Sequence, residues 1–216
     1  MDRLLKADLH IHTEYSPDCN TSLDKIISRC QQRGINCIAI ADHGTAEGAL
    51  KMQSIAPFKV IVAEEILTPH GEIMGMFLKE TIPTRIPVEE AISQIKAQGG
   101  LVCIPHPFDT ITRYALGDKL EALVGQIDII EVFNSRSTFR QPSAKAMAFA
   151  EKYGILGSAG SDAHTAYEVG NAYVVMPEFD GTDGFLQALA KGRIYGQRTN
   201  PLVHFSNIWT RIRKQL

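Results

Sequence analysis

The sequence predicts an α/β barrel folded as a single domain over residues 1–216. Short apolar runs with strand character alternate with helical patterns along the whole chain. Nearly every predicted strand ends in His, Asp or Glu, at the C-terminal edge where α/β folds build their sites. A doubly wound sheet would place its site at one crevice, whereas these residues come from almost every strand, which favours the barrel. At 216 residues and 44% hydrophobic, the chain can bury one sizeable core.

The first strand lies within ADLHIH, residues 7–12, where strict alternation predicts Asp8, His10 and His12 on one face. Thr21, Ser22, Leu23 and Asp24 supply helix-start signals ahead of KIISRCQQR, and Gly34 ends that helix. INCIAIA (35–41) is a short apolar strand delivering Asp42 and His43. FKVIVAEE (58–65) is the next and ends in Glu64 and Glu65. GEIMGMFL (71–78) adds a hairpin strand, expected to be attached to a seven-stranded barrel. A helix follows over 87–98, opened by Pro87 and closed by Gly99 and Gly100. LVCIPHP (101–107) carries His106 just past its apolar run. IDIIEVFN (127–134) holds Glu131, and the helical AKAMAFAEKYG leads into ILGSAGSD (155–162), which presents Asp162 and then His164. NAYVVM, the helix DGFLQALAKG and a short strand near LVHF (202–205) complete the pattern.

Composition narrows the function classes. A net charge of −2 lacks the basic excess of a dedicated nucleic-acid binder, so no stable duplex binding is expected. No apolar run reaches bilayer-spanning length, and MDRLLKADLH lacks the core of a signal peptide, so the expectation is a cytoplasmic protein without membrane attachment. The basic amphipathic end HFSNIWTRIRKQL is too short to argue otherwise. Cys19, Cys30, Cys37 and Cys103 are scattered and read as reduced thiols.

A lone histidine is more often a satisfied core or surface residue than a ligand, and His70 and His204 take that reading. The other five occur as D-x-H-x-H, D-H-G, P-H-P and D-A-H at strand ends, with Glu65 and Asp162 beside them. Such groups converging without an ion would carry large desolvation and repulsion costs. Imidazole with carboxylate and few thiolates suits Zn²⁺, Mn²⁺ or Fe²⁺.

DLHIHTEYS, AIADHG, VAEEI, IPHP, IEVFNSR and GSDAH, in that order, resemble the PHP (polymerase and histidinol phosphatase) domain superfamily over nearly the whole chain. The resemblance implies a distorted (β/α)7 barrel holding two or three divalent metal ions. It implies hydrolysis of phosphate esters, whether of a phosphorylated small molecule, a nucleotide or a short oligonucleotide end. By the same resemblance His10 and His12 hold a first metal with Glu65 and Asp162. Glu65, rather than Glu64, bridges to a second metal that takes His106. A third site uses His43 and His164 with Asp18. Glu72 stands where many relatives carry a histidine, a change that favours harder ions such as Mn²⁺ and leaves His70 as the less favoured substitute. Glu131 is expected to orient a histidine, and Asp42 to lie near the site without a defined role.

The chemistry expected is direct attack by a metal-bound hydroxide, because no Ser-His-Asp set or G-x-S-x-G elbow is present. Asp162 or His164 would relay a proton to the leaving group. Arg136 and Arg198 are candidate substrate-phosphate clamps. Two alternatives are weaker. An amidohydrolase-type barrel also opens with H-x-H, but it wants histidines on its fifth and sixth strands, whereas His106 comes early here and Glu131 replaces a histidine. A catalytically silent interaction module would not keep ligands at nearly every motif.

Overall fold

One sheet wraps almost completely around on itself. The computed structural model describes residues 4–110 and 114–200. Nine strands run in the order β7-β6-β5-β4-β3-β2-β1-β8-β9. They are β1 (Leu4–Ile11), β2 (Cys37–His43), β3 (Lys59–Thr68), β4 (Gly71–Met76), β5 (Leu101–Ile104), β6 (Ile129–Asn134), β7 (Leu156–Gly160), β8 (Ala172–Pro177) and β9 (Arg193–Gly196). Five helices cover the outside: α1 (Leu23–Arg33), α2 (Glu47–Ile55), α3 (Val88–Ala97), α4 (Arg140–Tyr153) and α5 (Gly181–Ala190), with a 3-10 segment at Gly117–Gln126.

The free edge of β1 is divided lengthwise. Its first half, Leu4 to Ala7, pairs antiparallel with β8. Its end is met by the chain leaving β7, through a parallel bridge between Ile11 and Ala163. The Asp162 N–H donates to the His10 carbonyl at 2.7 Å, and the His12 N–H to the Ala163 carbonyl at 2.9 Å. The seven-membered ring is therefore β1 to β7, closed only at its C-terminal rim. The expected extra strand, β4, is a member of that ring, antiparallel to both β3 and β5. All six of its residues are buried, since it has barrel interior on one face and α3 on the other. The strand outside the ring is instead NAYVVM, which forms β8, with β9 beyond it. A final strand at residues 202–205, His204 and the basic C-terminal stretch lie outside the described residues.

Two apolar layers follow from the two-residue period of the strands. Leu5, Ala7, Leu9, Cys37, Ala39, Ala41, Ile61, Ala63, Met74, Met76, Cys103 and Ile129 pack inside the barrel. Ile38, Ile40, Val60, Val62, Val102 and Ile130 face outward against helix residues such as Ile26, Met52, Ile92 and Ala146. Half of these inner residues are Ala or Cys, whereas the outward-facing strand residues are all β-branched, which gives a narrow ring under a thick helical coat.

β1 breaks this alternation. Its register with β2 runs Ala7 to Cys37 and Asp8 to Ile38, then Ile11 to Ile40, so one extra residue is taken up between Asp8 and Ile11. This is a β-bulge, which reverses the phase of the strand beyond it. Asp8 consequently shares the outward face of Ile38, while His10 and His12 turn inward. The expectation that all three share a face is corrected by that single residue. Asp8 instead accepts the Ser161 N–H at 2.9 Å and the Gly170 N–H at 2.8 Å, tying β1 to the loop after β7.

Helix α2 carries no capping signal and was not anticipated; its N-terminal turn lies against Asp42 and Thr13, where a Cβ at Gly48 would stand 2.2 Å from Asp42 Oδ2. All four cysteines are free and buried. Among the described residues no helix is long and apolar enough to cross a membrane.

Candidate metal centre

The C-terminal ends of β1, β2, β3, β5 and β7, with the start of β4, converge on one buried cluster. His10, His12, Glu65, Glu72, His106, Asp162 and His164 are all buried, Asp18 nearly so, and His43 is partly exposed. Three overlapping sets of donors lie within 4.8 Å of one another: His10, His12 and Asp162; His12, Asp18, His43 and His164; and His43, Glu65 and Glu72.

Around the first set, His10 Nε2 stands 3.1 Å from His12 Nε2 and 3.3 Å from Glu65 Oε2. His12 Nε2 lies 3.4 Å from Glu65 Oε2 and 3.3 Å from Asp162 Oδ1. Ligands at about 2.0–2.1 Å from a tetrahedral ion are separated by roughly 3.3 Å. The spacing of these four donors therefore fits an ion between them. Two imidazole Nε2 atoms at 3.1 Å cannot both carry protons, so at most one donates to the other.

Glu65 divides its two oxygens. Oε2 faces His10, His12 and His43, the last at 3.4 Å from Nδ1, while Oε1 takes His106 Nε2 at 2.8 Å. Glu72 lies 3.7 Å from His43 Nδ1 and 3.9 Å from His106 Nε2. His43 faces two ways, because its Nε2 is 3.5 Å from Asp18 Oδ2. Asp18 Oδ1 completes that side at 3.3 Å from His164 Nε2.

Surrounding side chains hold these groups in place. Glu131 Oε1 lies 3.1 Å from His10 Nδ1, and its Oε2 accepts the His106 N–H at 2.9 Å and Asn134 Nδ2 at 2.9 Å. Asp42, on the outward face beside Glu64, accepts the Thr13 N–H at 2.6 Å and its hydroxyl at 2.7 Å, fixing the loop that carries Asp18. His106 and Asp162 sit at positive φ, 30° and 53°, conformations that cost non-glycine residues free energy and that gather at functional sites.

Burial and charge act in opposition on the protons here. Burial lowers His10 and His43, but the carboxylates outweigh it. Glu131, Glu65 and Asp162 raise His10 well above its usual range, and Glu65, Asp18 and Glu72 bring His43 to about 10. Glu65 is held well below the carboxylate range despite burial, chiefly by His10, His43 and His106. His164 moves the other way, down to about 3, through burial and the neighbouring His12 and Arg136. Burial raises Glu64, on the opposite face from Glu65, to about 7; its Oε2 accepts the Ile82 N–H at 2.8 Å.

Other expected residues lie elsewhere. Arg136 is not an open phosphate clamp: it is buried behind His164, with Nε 3.1 Å from Glu168 Oε1 and Nη1 2.5 Å from His164 Nδ1. Its guanidinium and the Asp162 carbonyl, 2.9 Å away, both address that nitrogen, one as donor and one as acceptor. The two together accommodate either tautomer of His164. His70 is exposed on the β3–β4 turn beside Lys119 Nζ, and it is outside the cluster. Arg198 donates to the Ser137 carbonyl and to Ser143 Oγ and lies over the Phe133 ring.

A cavity of about 500 Å³ opens directly on the cluster. His43, Glu65 and Glu72 line its inner part, and the exposed Thr84, Arg85 and Tyr114 its rim. Arg85 and Tyr114 went unread in the sequence, where neither belongs to a recognisable motif. A larger cavity of about 670 Å³ runs along α1 but touches the cluster only through His164. Sharing three cluster residues makes the smaller cavity the better entrance.

Comparison with known proteins identifies the family. Residues 8–79 match the family model described as the PHP domain, and residues 141–194 the one described as PHP-associated. An uncharacterized protein of Methanocaldococcus jannaschii is 36% identical over 182 residues, covering 82% of this chain and 72% of the relative. In fold, the chain is similar to PsfC from Pseudomonas syringae (TM-score 0.72, 16% identity, 99% of this chain and 100% of that one). It is also similar to a candidate metal-dependent phosphoesterase from Bifidobacterium adolescentis (TM-score 0.60, 17% identity, 76% and 89%).

Proposed function

Because the chain belongs to the PHP domain superfamily, we propose that it is a metal-dependent phosphoesterase hydrolysing the phosphate esters of small molecules, nucleotides or oligonucleotide ends. The observation that carries this reading is the division of Glu65. One buried carboxylate presents one oxygen to His10, His12 and His43 and the other to His106. That is the arrangement needed to hold two like-charged ions at a fixed separation. His10, His12, Glu65 and Asp162 would hold one ion, and Glu65, His106 and Glu72 a second. His164 and Asp18 would hold a third, with His43 able to serve either neighbour. The donors are nitrogen and oxygen only, which suits Zn²⁺, Mn²⁺ or Fe²⁺.

Such ions, when bound, supply positive charge for phosphoryl oxygens and make water acidic enough to attack near neutral pH. The rest falls to the chain. Glu131 and the bulge in β1 aim His10 and keep its Nδ1 proton away from the ion-binding nitrogen. Asp162, held at Oδ2 by Asn134 at 3.3 Å, keeps Oδ1 turned toward His12 and His164 and is placed to accept a proton from water or return one to the leaving group. His164, with Nε2 turned toward Asp18 and the third ion, would keep its proton on Nδ1, where the Asp162 carbonyl accepts it.

Two measurements test the reading. Protein prepared without chelator should contain more than one Zn, Mn or Fe per chain. It should also release phosphate from at least one of a panel of phosphomonoesters, nucleotide bisphosphates, short oligonucleotides and diesters, with activity lost on chelation and restored by metal. A folded protein that takes up no metal, or a metal-loaded one that turns over none of the panel, would overturn it.

A further inference from the structure

The segment between β4 and α3, residues 79–87, passes over the cavity mouth and is fastened at several points. The Ala46 N–H donates to Thr81 Oγ1 at 2.9 Å. Buried Ile82 donates its N–H to Glu64. Thr84 lies against Gly44, where a Cβ would stand 2.7 Å from its Cγ2. The Arg85 N–H donates to the Leu67 carbonyl at 2.6 Å. These contacts hold Arg85 at φ 62°, a conformation any residue with a Cβ resists, and where glycine would be the easy choice. Yet the side chain is exposed, so no packing requirement explains the arginine. Among the described residues no carboxylate pairs with its guanidinium, although the cavity it borders is lined by Glu65 and Glu72.

Resting on the phosphoesterase reading above, we propose that Arg85 is the residue that recognises the substrate's phosphate, and that it selects monoesters. A guanidinium meets phosphate oxygens in pairs. A diester has only two terminal oxygens, and ions at Glu65 would claim them; a monoester has three, leaving anionic oxygen for the rim. Tyr114, 63% exposed on the same rim, offers its ring to the leaving group. A cavity of about 500 Å³ suits a phosphorylated small molecule or mononucleotide. Adjacent glutamates on β3 thus serve one phosphoryl group from two sides: Glu65 faces the ions and Glu64 anchors the segment presenting Arg85.

The test uses metal-loaded protein and inorganic phosphate as probe. Arg85→Ala should weaken phosphate binding, measured by calorimetry, by roughly 10- to 100-fold, with metal content unchanged. It should lower kcat/KM for p-nitrophenyl phosphate by a similar factor, mainly through KM, and change turnover of bis(p-nitrophenyl) phosphate far less. Arg85→Lys should recover part of the binding. Arg85→Gly should unfold at a higher temperature than the parent while losing phosphate binding, a combination that a structural role for the side chain does not produce. Unchanged phosphate affinity in Arg85→Ala, or equal losses on monoester and diester, would overturn the inference and leave the phosphoesterase reading standing. Arg85-dependent phosphate binding in a protein that hydrolyses no ester would do the reverse.

Discussion

Two neighbouring glutamates, Glu64 and Glu65, carry opposite duties because a strand turns alternate side chains to opposite faces. Glu65→Gln keeps the size of the residue but removes the charge that balances two ions, so activity should fall by several orders of magnitude and metal content with it. Glu64→Gln should be mild. Burial already brings that carboxyl to about 7, so a neutral amide mimics much of its population and still accepts the Ile82 N–H. Steady-state kinetics with metal analysis on both variants decides the matter; a damaging Glu64→Gln beside a silent Glu65→Gln would reverse the assignment. At this scale the sequence was informative where residues cluster in motifs: His10, His12, His43, His106, Asp162 and His164 each sit at or just past a strand end within D-x-H-x-H, D-H-G, P-H-P or D-A-H. It misled on Arg136, expected as a phosphate clamp, because the arginine's burial depends on Glu168 thirty-two positions away in the chain. Arg85 has no local signature, since its placement comes from contacts of its segment with β3, Gly44 and Ala46.

Elements meet at the rim because particular backbones approach closely. At the end of β7, a Cβ on Gly160 would stand 2.2 Å from His10 Cβ and 2.9 Å from Glu131 Oε1. Gly160→Ala should therefore push β7 away from β1 and cost about 1–3 kcal/mol of stability. Because the clash falls on His10 and its partner Glu131, metal affinity should fall as well. Denaturant unfolding and metal titration of the same variant test both; full stability with full metal uptake would mean that the rim is softer than its contacts indicate. The alternation of strands and helices was legible, since α1, α3 and α5 carry apolar stripes and stop signals. Helix α2 was not, because EGALKMQSI lacks a capping residue and follows the polar turn GTA. Nor was the place of β4: a hairpin partner inside the ring and one outside it have the same apolar pattern, and only closure of the sheet distinguishes them.

The molecule as a whole is closed at one rim by two hydrogen bonds and, on the reading proposed here, by ions that join β1, β2, β3, β5 and β7. Removing them should lower the melting temperature, with added metal restoring about 2.7 kcal/mol at a hundredfold excess over Kd. Binding should also displace protons. The carboxylates around His10 and His43 hold both above their ordinary range, so near pH 7 the metal-free site is protonated and each ion must expel what it replaces. Raising pH toward 10 removes the His43 proton beforehand, so apparent affinity should rise with pH, by about tenfold per unit for each proton displaced. Calorimetry in buffers of different ionisation enthalpy counts them; binding that is independent of pH across 6 to 9 would contradict the protonation pattern. The barrel itself was legible from catalytic-type residues at many strand ends, but its near-closure was not, because β8 takes the first half of the β1 edge.

The extra residue in β1 makes the strand two short strands of opposite parity joined in series. Leu5, Ala7 and Leu9 follow one beat and answer to the barrel interior; His10 and His12 follow the other and answer to the cluster. Packing and chemistry are thereby uncoupled within eight residues, and each half is free to vary without dictating the other. A frame-shifting deletion at the bulge would leave the composition of the strand almost intact while facing both imidazoles into the helical coat. The position of one unpaired residue, more than the identity of any histidine, determines which side of the wall the chemistry is on.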